Sequence, residues 1–73
     1  MERVTINDEF IKLGQALKLA GLVDSGIEAK IVIQENRVKV DGETENRRGR
    51  KLYDGMVVEY AGSSFQVVSS GRN

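Results

Sequence analysis

Four cations stand within five residues at Arg47-Arg48-Gly49-Arg50-Lys51. Side chains crowded in this way repel one another, so a polyanion placed against them relieves an electrostatic cost. The chemistry suits nucleic acid. Guanidinium forks match pairs of phosphate oxygens, and their planes stack on unpaired bases. Gly49 lets the backbone approach a phosphate closely or adopt positive φ. A solvated loop balanced by Glu43 and Glu45 is the alternative, and the residues alone leave the two open.

Arg37 and Lys39 alternate with Val38 and Val40, so a strand would present both cations on one face, next to the basic loop. Lys30 and Gln34 lie one turn apart if their segment is helical. Tyr53 follows the basic loop and is a candidate to face a base or ribose. Phe10 and Phe65 sit in apolar patterns and are expected in the core, and Tyr60 is expected to pack. Two Phe, two Tyr and no Trp do not make an aromatic stacking platform. Any nucleic acid would be recognised by its shape and by phosphate position.

Enzyme chemistry is poorly supplied. The chain has no His and no Cys, which removes the commonest general base, every Ser-His or Cys-His dyad and any thiolate metal site. Asp8-Glu9 reads as a complement to a helix dipole, and Glu43 with Glu45 as a solvated strand face. No carboxylate set has calcium-loop spacing, and no Gly-rich phosphate loop joins a strand to a helix. No catalytic residue, metal or cofactor is expected.

Positioning falls to a short chain. Seventy-three residues of net charge zero allow one small domain with a thin core. The charge is unevenly spread: residues 1–29 carry −2, residues 30–52 carry +3 and residues 53–73 carry −1. Apolar runs are too short to span a membrane, and the first ten residues do not read as a signal peptide. A cytoplasmic monomer is expected.

Arg3 to Ile6 reads as a strand. Asn7, Asp8 and Glu9 offer a helix start, with Phe10, Leu13, Leu17 and Ala20 as its apolar stripe and Lys12, Gln15 and Lys18 on the polar side. Gly14 weakens the first turn, so the regular helix could begin only near Leu13. Gly21 suits the position after its end. Ser25 and Glu28 form a capping-box pattern for a second helix, whereas Ile31-Val32-Ile33 favours a strand. Beyond it the pattern is β. Asp41-Gly42 and Asp54-Gly55 are turns, residues 61–64 a loop, Phe65 to Val68 the last strand, and residues 69–73 a flexible tail.

In order and spacing, Leu17 to Gly26, then Glu28-Ala29-Lys30, then Val38-Lys39-Val40-Asp41-Gly42 resemble the RNA-binding module of the ribosomal-protein-S-four type. The resemblance spans about residues 12–60. Thr44 to Lys51, with Gly55 and the strand after it, is similar to the short stand-alone branch of YaaA-like and YbcJ-like proteins. The resemblance implies an α+β fold in which two N-terminal helices pack on a small, mostly antiparallel twisted sheet, the αL-type module. It implies one RNA-binding domain over residues 1–73 and a helix from Ser25 to Glu35. Lys12 falls at the family's basic-Leu start. Gly26 stands where family members often have Arg, Asn36 where Gly closes the second helix, and Asp41 where the hairpin has Asn.

With that resemblance, the expected RNA contacts are Lys12, Ser25, Lys30, Gln34, Arg37, Lys39, Arg47, Arg48, Arg50, Lys51 and Tyr53, with Ser25 first a helix cap. The expected partner is structured RNA, with ribosomal RNA or an assembling ribosomal particle as the expected target and ribosomal or RNA-processing proteins as further partners. The competing reading is a protein-interaction adaptor whose basic loop is only solvated surface.

Overall fold

The computed structural model describes residues 1–70. Val4 and Ile6 alternate with exposed neighbours in β1 (Glu2–Ile6), which turns both into the core. A short strand, β2 (Phe10–Lys12), runs straight into helix α1 (Leu13–Leu19), and α2 (Gly26–Gln34) follows after a turn. Five strands complete the chain: β3 (Val38–Val40), β4 (Glu43–Thr44), β5 (Lys51–Tyr53), β6 (Val57–Tyr60) and β7 (Ser63–Ser69). This is the expected α+β arrangement of two helices and a mostly antiparallel sheet.

The main sheet has the order β1-β7-β6-β3-β4, and β2 pairs with β5 in a separate antiparallel ribbon. One pairing in the main sheet is parallel: β1 lies along β7, with Glu2 opposite Phe65 and Ile6 opposite Ser69. Leu13, Ala16 and Leu17 from α1 meet Ala29, Val32 and Ile33 from α2 in one apolar core. Val38, Val40, Leu52, Val58, Phe65 and Val67 close it from the strands.

Local chemistry accounts for the helix ends. Gly21 takes φ 77° after α1, and the amides of Gly21 and Leu22 return to the carbonyls of Lys18 and Leu17. These are the two bonds of a Schellman cap. In α2 the Ser25 Oγ accepts the Glu28 amide at 3.1 Å, while the Glu28 carboxylate accepts the Asp24 amide at 2.8 Å. Asn36, at φ 62°, closes α2, with its own amide and that of Arg37 returning to Ile33 and Val32. Caps at both ends, together with burial of Ala29, Val32 and Ile33, override the strand preference of Ile31-Val32-Ile33.

Several expectations are corrected. No helix starts at Asn7: Phe10–Lys12 is extended, because it pairs with Lys51–Tyr53, a partner forty residues away that local propensity does not see. Phe10 is therefore only half-buried, whereas Phe65 is fully in the core. The loop at residues 61–64 shrinks to Ala61-Gly62, both at positive φ, and Ser63 and Ser64 belong to β7. Ser69 and Ser70 are not a loose tail. The Ser69 amide donates to Asp54 Oδ1 and the Ser70 amide to the Ile6 carbonyl. Residues 71–73 of the expected tail lie outside the described residues.

Candidate functional site

Lys12 occupies the N-cap position of α1 and offers no side-chain acceptor to the first helical amides. Unpaired amides at a helix start need partners, and here the basic loop supplies them. The Leu13 amide donates to the Arg50 carbonyl at 2.8 Å, and the Gly14 amide to the Arg48 carbonyl at 3.1 Å. The loop backbone is thereby laid across the start of α1. Gly14 leaves room for the Arg48 side chain: a Cβ there would sit 2.6 Å from Arg48 Cγ, yet 3.7 Å from the Arg48 carbonyl oxygen.

This docking builds a groove. Lys12, Gln15 and Lys18 line it from α1, Gly26 from the start of α2, and Arg48 and Gly49 from the loop, with Gly14 as floor. Three cations from two separate stretches of sequence share it. None of Lys12, Lys18 and Arg48 has an ion-pair partner among the described residues. Gly26 faces open space. A second shallow concavity adjoins at Gly49 and is lined by Arg47, Arg50, Lys51 and Tyr53. Lys51 Nζ sits 4.7 Å from the centre of the Phe10 ring, and Phe10 packs against Tyr53 at 5.8 Å between ring centres.

Glu45 organises the loop from beneath. It was expected on a solvated strand face, yet it is buried at 6 % exposure. Its Oε2 accepts the Arg47 backbone amide at 3.0 Å and Arg47 Nε at 2.9 Å; its Oε1 accepts Arg47 Nη2 at 3.2 Å and Arg50 Nη1 at 2.6 Å. Chiefly the Arg47 side chain, then Arg50 and the Arg47 amide, hold the Glu45 carboxyl down to about 2 from an ordinary 4.5, against the opposing effect of burial. The same contact raises the Arg47 pKa.

The candidate residues thus divide. Lys12 and Arg48 share the groove, and Arg47, Arg50, Lys51 and Tyr53 flank it. Ser25 caps α2 immediately before Gly26. Lys30 and Gln34 are exposed on α2 and are not among the groove-lining residues. Arg37 and Lys39 are a pair, but they do not line the concavities of the basic loop. They line a different concavity with Glu59 and Tyr60. Val38 and Val40 turn into the core, so Lys39 points to the opposite face of the sheet. Arg37 pairs with Glu35 at 3.3 Å and lies 5.8 Å from the Tyr60 ring centre.

Asp41 is also explained: its Oδ1 accepts the Val57 amide at 2.9 Å, so it fastens β6 to the hairpin turn. Sequence reasoning missed Gly14, Gln15, Lys18 and Glu45 as parts of the site. A glycine in the first turn of an amphipathic helix was the available signal, since it costs helix propensity that packing or function must offset. Among the described residues no group of acids could hold a metal ion, and no helix is long and apolar enough to cross a membrane.

Comparison with known proteins gives a consistent outcome. The profile of the S4 domain matches residues 4–68, wider than the 12–60 that motifs delimit. A Bacillus subtilis protein, provisionally named as the ribosome maturation protein RlbA, is 54% identical over 67 residues, covering 90% of this chain and 94% of its own. An Escherichia coli K12 protein, provisionally named as the RNA-binding protein YbcJ, is 48% identical over 59 residues, covering 81% of this chain and 84% of its own. The solution structure of Escherichia coli YbcJ, described as revealing an αL motif involved in RNA binding, superposes with a TM-score of 0.74 at 41% identity. It covers 94% of this chain and 89% of that one.

Proposed function

Because the chain belongs to the S4 domain family, we propose that it is a non-catalytic cytoplasmic protein that binds structured RNA. The target we favour is ribosomal RNA or an assembling ribosomal particle. One observation carries the reading: the basic loop is docked on α1 so that Lys12, Lys18 and Arg48 face one groove without counter-ions among the described residues. Cations gathered in one groove, without acids to neutralise them, suit a phosphate backbone. Lys51 and Tyr53 extend the surface toward a ribose or an unpaired base. The provisional names of the relatives point the same way.

The test is binding to fluorescently labelled structured ribosomal RNA fragments across a salt series, with circular dichroism to verify folding. The variant is Lys12→Ala/Arg48→Ala/Lys51→Ala. Arg47 and Arg50 are left in place, because removing them would strand the buried Glu45 carboxylate. Wild type is expected to bind with a steep salt dependence, and the variant to lose about three phosphate contacts' worth of slope. Absence of salt-dependent binding by wild type at low ionic strength, or an unchanged slope in the folded variant, overturns the reading.

A protein partner is a second reading with its own surface. Ile27 and Ile31 lie one turn apart on α2 at 73% and 49% exposure. An association through them would survive ribonuclease and depend weakly on salt.

A further inference from the structure

Glu45 is the one buried polar residue among those described, and it lies beneath the densest cations of the chain. By charge alone a carboxylate there opposes any bound polyanion. Its contacts indicate another role. Four donors from Arg47 and Arg50 converge on its two oxygens, and the Arg50 amide closes the turn onto the Arg47 carbonyl at 3.2 Å. Arg48 lies between the two clamped arginines. Its carbonyl and that of Arg50 take the first amides of α1, and its side chain runs over Gly14.

We infer that Glu45 is a positioning residue for the RNA groove: it folds the basic loop so that Arg48 is held against α1 before RNA arrives. The inference rests on the RNA-binding reading above and adds a sign to it. Removing a negative charge near phosphates should by itself tighten binding. Removing the clamp should weaken it, because the loop must then be ordered at the expense of binding free energy. The second effect is the larger one if Glu45 positions Arg48.

The test uses the full chain carrying Glu45→Gln, and three readouts. Without RNA, hydrogen exchange at the Leu13 and Gly14 amides is expected to lose protection while Val58 and Val67 keep theirs. Affinity for the labelled ribosomal RNA fragments is expected to fall about ten-fold, the scale of a lost charged hydrogen bond. Arg48→Ala is expected to cost affinity in the wild-type background and no more than about two-fold in the Glu45→Gln background, because the two residues act as a unit.

Equal or tighter RNA binding by Glu45→Gln overturns the proposal. So does unchanged protection at Leu13 and Gly14, an Arg48→Ala cost that is the same in both backgrounds, or a loss of protection that extends equally to Val58 and Val67. Wild-type protein that binds none of the fragments at low salt overturns the RNA reading and this proposal together. Wild-type binding with unaltered exchange in the variant overturns this proposal alone.

Discussion

Two basic regions look alike along the chain and differ in the fold. Around β3, Arg37 is paired with Glu35 and lies near Tyr60, and Lys39 stands opposite Glu59 across the strand pair. At the start of α1, Lys12, Lys18 and Arg48 converge on one groove, and the only acid in the adjoining loop is buried beneath it, engaged with Arg47 and Arg50. The first region is a mixed-charge surface. The second is a cationic one in which the acid serves the loop's geometry. Local counts of Arg and Lys do not separate these cases; the position of the acids does.

The comparison breaks most directly if the wrong region binds. Lys12→Ala/Arg48→Ala/Lys51→Ala should weaken RNA binding about 100-fold at low salt, as expected for several phosphate contacts. Arg37→Ala/Lys39→Ala should change it by less than about three-fold, since Arg37 is bridged to Glu35 and Glu59 stands opposite Lys39, so acids offset the attraction of both cations for phosphate. Fluorescence anisotropy on the two variants side by side decides it, and the reverse ranking would move the interface to the sheet.

Gly14→Ala sharpens the same point. In an ordinary helix the change would stabilise by about 1 kcal/mol. Here the new methyl meets Arg48 Cγ, so the Arg48 side chain must move, and RNA affinity should fall about ten-fold as its place over α1 is lost. A Gly14→Ala variant with higher melting temperature and full affinity would show that the Arg48 side chain need not lie over Gly14.

Gly26→Arg tests the groove by addition. The position opens onto free space at the groove's end, so a fourth cation there should tighten binding about three-fold and steepen the salt slope by about one contact. A smaller effect is expected on stability. The Glu45 carboxyl titrates near 2 in the fold against an ordinary 4.5, so its ionised form favours the folded state. That contribution is complete above about pH 4.5 and fades as pH falls toward 2. Thermal melts should show wild type losing on the order of 5 °C more than Glu45→Gln across that interval. Parallel curves would mean that the clamp adds nothing to stability.

Much of this architecture is legible in the sequence where short-range chemistry decides it. Ser25 with Glu28, Gly21 and Asp41-Gly42 announce their caps and turns by residue type, and all adopt the expected conformations, while Asn36 closes α2 where the family resemblance puts a glycine. What was not legible depends on distant partners. Phe10 to Lys12 continues a helical stripe on paper and becomes a strand because Lys51 to Tyr53 is there to pair with it. Glu45 reads as one more surface acid until Arg47 and Arg50 fold over it. Gly14 reads as a weak helix position until the loop crosses it. The site is hardest to see where its two halves, residues 12–18 and 45–53, must first be brought together.

The parallel pairing of β1 with β7 carries a consequence for synthesis. Val4 and Ile6 are made before the strand that shelters them: their partners across the pairing, Val67 and Ser69, follow more than sixty residues later. Until then a nascent chain on the ribosome holds an apolar strand with an open edge, a contact order that slows folding and delays closure of the core. The completed sheet therefore waits for translation to pass β7, and the protein gains its final form as a unit instead of growing into it strand by strand.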